Sequence, residues 1–151
     1  MTFLAEQENI DPKAMSHILN KESGLLGISG VSSDLRDIEE EASKGNKRAE
    51  LAESMLYYGI KKYVGAYAAA MGGIDVLVFT AGIGENSAAA REKVCSGLDF
   101  LGISIDPEKN NVRGKETLIS TDDSRVKVLI IPTNEELVIA RDTQSIVETL
   151  K

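Results

Sequence analysis

Two spacings of apolar residues divide the chain into predicted helices and strands. IDVLVF (Ile74 to Phe79) is a short, almost continuous apolar run bounded by turn residues, as expected of a strand buried on both faces. VKVLII (Val126 to Ile131), closed by Pro132, predicts a second strong strand; ISI before Asp106 predicts a short one and TLIS a weaker one. Elsewhere the period is helical. From Asn46 to about Met71, the residues Ala52, Met55, Leu56, Gly59, Tyr63, Ala66, Tyr67 and Ala70 recur on one helical face, where small side chains let another backbone approach. Gly72 and Gly73 end that helix, and another is predicted from about Ser87. The segment TNEELVIARDTQSIVETL opens with Thr133 and carries Glu136 three residues later, the capping-box arrangement. Nearer the start, Asp11 and Pro12 begin a short helix through Asn20, and SGLLGISGVSS, with three glycines and four serines, predicts a loop. Ser33 then caps a helix whose first turn, Asp34 to Asp37, is acidic, and Gly45 follows its end. Helices and strands alternate through the second half, which predicts an α/β fold with some parallel pairing.

Composition narrows the function classes. A chain of 151 residues with 42% apolar residues can bury a real core, and without repeats or a long linker it is expected to be one domain over 1–151. The formal charge of -7 and pI near 4.8 argue against a nucleic acid or an anionic membrane as partner. A nucleotide stays compatible, because backbone amides and Mg²⁺ hold a few phosphates without surplus Lys or Arg. The single cysteine, Cys95, predicts a reducing, cytoplasmic setting. MTFLAEQENIDPK lacks the basic start and long apolar core of a signal peptide, and no apolar run reaches membrane-spanning length.

Three stretches could carry chemistry. In VFTAGIGENS a strand turns through Gly82 and Gly84 into a helix, which places unpaired helix amides at the sheet's carboxyl edge, where open α/β sheets bind ligands. The same glycines could serve only a turn that needs positive φ. The spacing also half matches a dinucleotide fingerprint, with Ser87 in the place of the third glycine and Asp106 downstream to meet a ribose. The missing glycine and the charged Glu85 weigh against it, and no lysine follows to make a Walker loop. In SSDLRD, Arg36 could reach a base, ribose or phosphate, or pair with Glu39 or Glu40 on its own helix. In PTNEE, Thr133 and Glu136 account for each other as a capping pair, leaving Glu135 to hold Mg²⁺ or merely to offset the helix dipole. His17 has no Cys or His cluster with which to build a zinc site and reads as a helix-end residue. Cys95 reads as a small core residue, and Tyr57, Tyr58, Tyr63 and Tyr67 as packing or interface residues.

The order SGLLGISGVSSDLRD, VFTAGIGENS with an arginine-bearing helix after it, and IIPTNEELVIARDT, together with GLDFLGI and NNVRG, resembles the carboxyl-terminal part of acetate kinases over nearly the whole chain. The resemblance implies a partial ribonuclease H-like domain of the sugar kinase, Hsp70 and actin superfamily, with a mixed sheet flanked by helices. It implies transfer of the γ phosphoryl of ATP to acetate, giving acetyl phosphate and ADP, and the reverse. By position, Asp34, Leu35 and Arg36 are expected to line the adenosine pocket; Gly82, Ile83, Gly84, Glu85 and Asn86 to wrap the nucleotide; and Glu135 to take part in Mg²⁺ binding. The amino-terminal domain of complete members, with the groups that place acetate and neutralise the moving phosphoryl, precedes the point where this sequence begins. No catalytic residue is therefore expected in this stretch, and the stretch alone is expected to be inactive. A homodimer is expected for the full-length enzyme. A noncatalytic nucleotide-binding or dimerisation module is the alternative, and propionate or butyrate as the acceptor a further one.

Overall fold

The computed structural model describes residues 2–150. They form two compact units, one reaching to Tyr63 and the other starting at Val64.

The first unit is helical: α1 (Thr2–Gln7), α2 (Pro12–His17), one turn of π-helix (Ile18–Glu22), α3 (Gly24–Ser29), α4 (Leu35–Ser43) and the first part of α5 (Lys47–Met71). Asp11 caps α2 as expected, its Oδ1 accepting the amides of Lys13 and Ala14 at 2.8 and 2.9 Å. His17 is exposed near the end of α2, 3.2 Å from the Glu22 carboxylate. SGLLGISGVSS is not a loop throughout, because α3 runs through it. Leu25 and Ile28 sit one helical turn apart and pack on a core of Leu35, Ile38, Ala49 and Ala52, so burial overrides the poor helix propensity of glycine. Arg48 completes α3 from outside, its Nε donating to the Ile28 carbonyl at 2.9 Å and its NH2 to that of Gly27 at 3.0 Å. The cap of α4 is Asp34 rather than Ser33.

On α5 the buried stripe is offset from the predicted one. Ala49, Ala52, Glu53 and Tyr57 are buried, whereas Met55, Tyr63 and Tyr67 are exposed. Polar Glu53 and Tyr57 disguise the inner face in the sequence. Tyr57 hydroxyl donates to Glu39 Oε1 at 3.1 Å, and burial pushes its phenol above the usual value, with the Glu39 and Glu53 charges adding to the effect.

The second unit continues from α5 into β1 (Val76–Phe79), α6 (Ala81–Asn86), α7 (Ala88–Cys95), a 3₁₀ turn (Asp99–Leu101), α8 (Pro107–Asn110), β2 (Thr117–Leu118), β3 (Lys127–Ile130) and α9 (Glu135–Thr149). Its sheet is mixed, in the order β1-β3-β2. β1 runs parallel to β3, with Val76 opposite Lys127 and Phe79 opposite Ile130, and β2 runs antiparallel on the other side. The fold is mixed α/β with the predicted parallel pair. ISI contributes only isolated bridges, Ile103 to Val126 and Ile105 to Ser120.

β3 is the central strand, and its Val128 and Ile130 are wholly buried with Ile119, Val126 and Leu98. Fully burying each such side chain contributes about 1.5–3 kcal/mol. Cys95 belongs to this core, as expected. β1 departs from the expectation of burial on both faces. It is an edge strand, and while Leu77 and Phe79 pack on the core, Val76 and Val78 remain 48% and 43% exposed. A continuous apolar run does not reveal whether a strand is central or at the edge. Among the described residues, no helix is long and apolar enough to cross a membrane.

Ile130→Ala should lower unfolding free energy by about 2–5 kcal/mol, the usual cost of a cavity in a packed core. Equal urea midpoints for variant and wild type would remove Ile130 from the core of the second unit.

Candidate functional site

Parallel pairing makes β1 and β3 end at the same edge of the sheet. Ile131 N donates to the Phe79 carbonyl at 3.0 Å as the last rung, after which the chain turns into α6 on one side and towards α9 on the other. Thr80 and Thr133, the residues at the two turns, meet through their hydroxyls at 2.7 Å. The Thr133 amide donates to Glu85 Oε1, also at 2.7 Å. Between the turns lies an open hollow of about 360 Å³ lined by Ala81, Gly82, Glu85, Thr133, Asn134, Glu135 and Glu136. Gly82, Glu85 and Glu135, drawn from two separate motifs, thus come together.

The glycine stretch is itself helical, not a loop, and neither Gly82 nor Gly84 has positive φ. The strained residue is Ala81, at φ 58°. A turn needing glycine's backbone freedom therefore does not account for this motif. Gly84 is favoured by packing, since a Cβ there would lie 3.3 Å from the Phe79 carbonyl carbon, a tight contact with backbone. Gly82 is different, with no atom within 4 Å of an added Cβ. Neither its conformation nor its packing within the chain asks for glycine. The carbonyls at the far end of α6 are taken up by residues from elsewhere: Gly84 by Arg91 NH1 at 2.8 Å, Glu85 by the Gly114 amide at 3.0 Å, and Asn86 by Arg113 Nε at 3.0 Å. Asn86 closes on its own helix, donating Nδ2 to the Gly82 carbonyl at 2.9 Å. Ile83 is 44% exposed.

Glu85 joins the two walls of the hollow. Its carboxyl is held below the usual carboxylate range chiefly by the Thr133 amide, with the Ala81 amide adding to the effect. The expected capping box at α9 does not form. Asn134 is the cap, its Oδ1 accepting the Leu137 amide at 3.0 Å, while Thr133 faces Glu85 and Thr80. Glu135 and Glu136 form the acidic first turn of α9.

Asp34, Leu35 and Arg36 lie in the first unit, at the start of α4. Arg36 pairs with neither Glu39 nor Glu40. It folds back on the cap, Nε on Asp34 Oδ1 at 3.1 Å and NH2 on Oδ2 at 2.6 Å, with the Arg36 side chain 87% exposed. Arg36 lowers the Asp34 carboxyl to about 2. The Leu35 side chain is buried in the first unit's core. Both residues of the half-matched dinucleotide pattern have other tasks: Ser87 caps α7 and Asp106 caps α8.

Among the described residues, no group of three or more His, Cys, Asp or Glu is placed to hold a metal by itself. One or two carboxylates suffice for a Mg²⁺ that keeps waters and rides on substrate phosphates, and Glu135 and Glu136 match that requirement. The hollow is acidic, so a polyphosphate entering it needs such a cation. Reasoning from the sequence assigned no role to Arg91, Asn110 or Arg113. The available signal was an arginine on the inner face of α7, between core residues Ala90 and Val94.

A carboxyl depressed in the folded state stabilises fully above its unfolded value and loses that contribution as pH falls through the folded one. The difference in Tm between wild type and Glu85→Gln should therefore be largest near neutrality and shrink on acidification below about pH 4. Thermal melts across that range check it, and a pH-independent difference would contradict the charged tie to Thr133.

Residues 1–141 match the acetokinase family. The chain is 61% identical over 147 residues to an acetate kinase of Alkaliphilus metalliredigens, covering 97% of this chain and 37% of that protein. The crystal structure of Porphyromonas gingivalis acetate kinase superimposes with a TM-score of 0.89 at 56% identity, over 97% of this chain and 37% of that one. A propionate kinase from Francisella tularensis gives 0.82 at 38% identity, over 92% and 35%. This chain therefore spans a little over a third of the length of the relatives it matches, and by the extent and identity of these matches it belongs to the acetokinase family.

Proposed function

We propose that the full-length protein is an acetate kinase, moving the γ phosphoryl of ATP reversibly to acetate, and that the hollow at the sheet edge takes the nucleotide. The observation that carries this reading is Gly82, whose bare backbone lines the hollow although nothing in the chain itself requires glycine there. The Gly82 and Ile83 amides in the first turn of α6 offer donors to an anion, because Thr80 supplies no side-chain cap and Glu85 takes up only the Ala81 amide. Ile83 and Asn86 complete the wrapping segment. Asp34, Leu35 and Arg36 contribute to the adenosine pocket, Leu35 through its backbone, since its side chain is buried in the core.

Bound Mg²⁺ would neutralise phosphate charge and orient the transferring group. Glu135 would hold it, directly or through water, and Glu136 adds to the negative potential that draws it in. Phosphoryl transfer rests on positioning and charge neutralisation by several groups at once, and residues 1–151 supply one wall of such a site. Identity to acetate kinases supports acetate over propionate as the acceptor. The buried, unbridged Cys95 fits a reducing cytoplasmic setting.

A coupled assay of the full-length protein with acetate, ATP and Mg²⁺, repeated with propionate and butyrate, tests the assignment. No turnover with any of the three acids would refute it. Purified residues 1–151 alone should give no turnover. Glu135→Ala should raise the Mg²⁺ needed for half-maximal rate and lower turnover by roughly 10²-fold, on the scale of losing one charge-stabilising group; an unchanged Mg²⁺ titration removes it from the site. Gly82→Val should raise KM for ATP roughly tenfold with little effect on that for acetate, and equal shifts in both would argue for a global effect.

A further inference from the structure

Helix α6, which lines the hollow, is held from behind by a cation that, among the described residues, hydrogen-bonds to no carboxylate. Arg91, on α7, is wholly buried. Its guanidinium makes four hydrogen bonds, and three go to backbone carbonyls: NH1 to Gly84 at 2.8 Å, NH2 to Asn110 at 2.7 Å and to Val112 at 2.8 Å. The fourth, from Nε, goes to Asn110 Oδ1 at 2.7 Å. Asn110, 4% exposed, turns its Nδ2 to the Ala88 carbonyl at 2.9 Å. In an acidic chain a buried arginine hydrogen-bonded, among the described residues, to neutral oxygens and lying near the Cys95 thiol is unusual, since the charge loses solvation without a carboxylate to offset it. Burial accordingly lowers its pKa, though arginine stays protonated in proteins.

The geometry points to a positioning role for Arg91. We propose that Arg91, supported by Asn110 and Arg113, sets the orientation of α6 and so of the amides and bare Gly82 surface that meet the nucleotide. Three features separate this from ordinary core filling. The guanidinium fork joins three elements at once, its own α7, the preceding α6 and the Asn110–Val112 stretch about twenty residues on, which a flat, multi-donor head is suited to do. It lies at the carbonyl end of α6, where positive charge suits the helix dipole. Arg113 and Gly114 take the next two carbonyls of the same helix, so Gly84, Glu85 and Asn86 are all anchored on that side. With its carbonyl end fixed and Glu85 tied to Thr133, α6 has little freedom to tilt relative to Glu135.

This inference rests on the nucleotide reading of the hollow, and its test separates the two. In the full-length protein, amide hydrogen exchange is followed over residues 81–86 for wild type, Arg91→Lys and Arg113→Ala, alongside ADP affinity and the KM values for ATP and acetate. Lysine keeps the charge but not the fork. Arg91→Lys should speed exchange within α6 and raise KM for ATP and Kd for ADP roughly tenfold, with KM for acetate held, because misplacing a binding group by about 1 Å is costly. Arg113→Ala, which removes one bond from an exposed side chain, should shift them roughly threefold in the same direction, and it carries the test should Arg91→Lys not fold. Wild-type exchange in α6 for the folded variants would overturn the proposal. So would a lower Tm with KM for ATP unchanged, since Arg91 would then be core filling alone. Wild-type protein that binds no ADP would overturn the nucleotide reading itself, while the exchange data would still decide whether Arg91 anchors α6.

Discussion

The arrangement of the second unit depends on β1 lying parallel to β3. An antiparallel partner would send one of the two following turns to the opposite edge of the sheet. Parallel pairing, with Phe79 opposite Ile130, releases both chains side by side. Everything at the sheet edge follows from that single rung: the two threonines in contact, the Glu85 carboxylate reaching the Thr133 amide, and the acidic start of α9 beside the glycine helix. The pairing is in turn secured by the core beneath it, because Val128 and Ile130 are buried only in this register, and a slip of one residue would turn them outward.

A second theme is how this chain uses arginine. Despite its net negative charge, several arginines are directed at backbone carbonyls and not at the abundant carboxylates. Arg48 completes the end of α3, Arg91 and Arg113 hold α6, and Arg125 donates to the Leu101 carbonyl at 2.6 Å at the 3₁₀ turn. The helices involved are short, only six residues in α3 and α6, and too short to persist by propensity. An external donor at their carbonyl ends supplies what a longer helix would find in its own next turn. Conventional carboxylate pairing does occur, but at the surface, as with Arg36 and Asp34.

Much of this was legible in the sequence, for definable reasons. Strong apolar runs located β1 and β3, and Gly72 with Gly73 and the Asp11–Pro12 pair marked helix ends, because these signals are local. α3 is hidden because its helicity comes from Leu25 and Ile28 packing against residues outside the helix, from Leu35 to Ala52. The inner stripe of α5 was misread because Glu53 and Tyr57 are polar yet satisfied inside. At the candidate site, residue identities were readable as motifs, but their division of labour was not. Thr133 and Glu136 satisfied a capping rule on paper, whereas Asn134 makes the cap and Thr133 is drawn to Glu85, a partner from another motif. The positive φ that a turn there could ask of Gly82 or Gly84 falls instead on Ala81. Arg91 carries no motif of its own, and only the carbonyls of Gly84, Asn110 and Val112, brought together by folding, give it a purpose.

The carbonyl-held Arg91 also bears on how the protein should respond to salt. Exposed ion pairs, such as Lys44 with Glu40 and Glu41 or Lys47 with Glu50, weaken progressively as salt is added. A guanidinium buried among neutral oxygens has no such sensitivity. Raising ionic strength thus weakens the attraction between the acidic hollow and any cation while sparing the buried Arg91 anchor behind α6, so the electrostatics of binding can be varied with little change at that anchor.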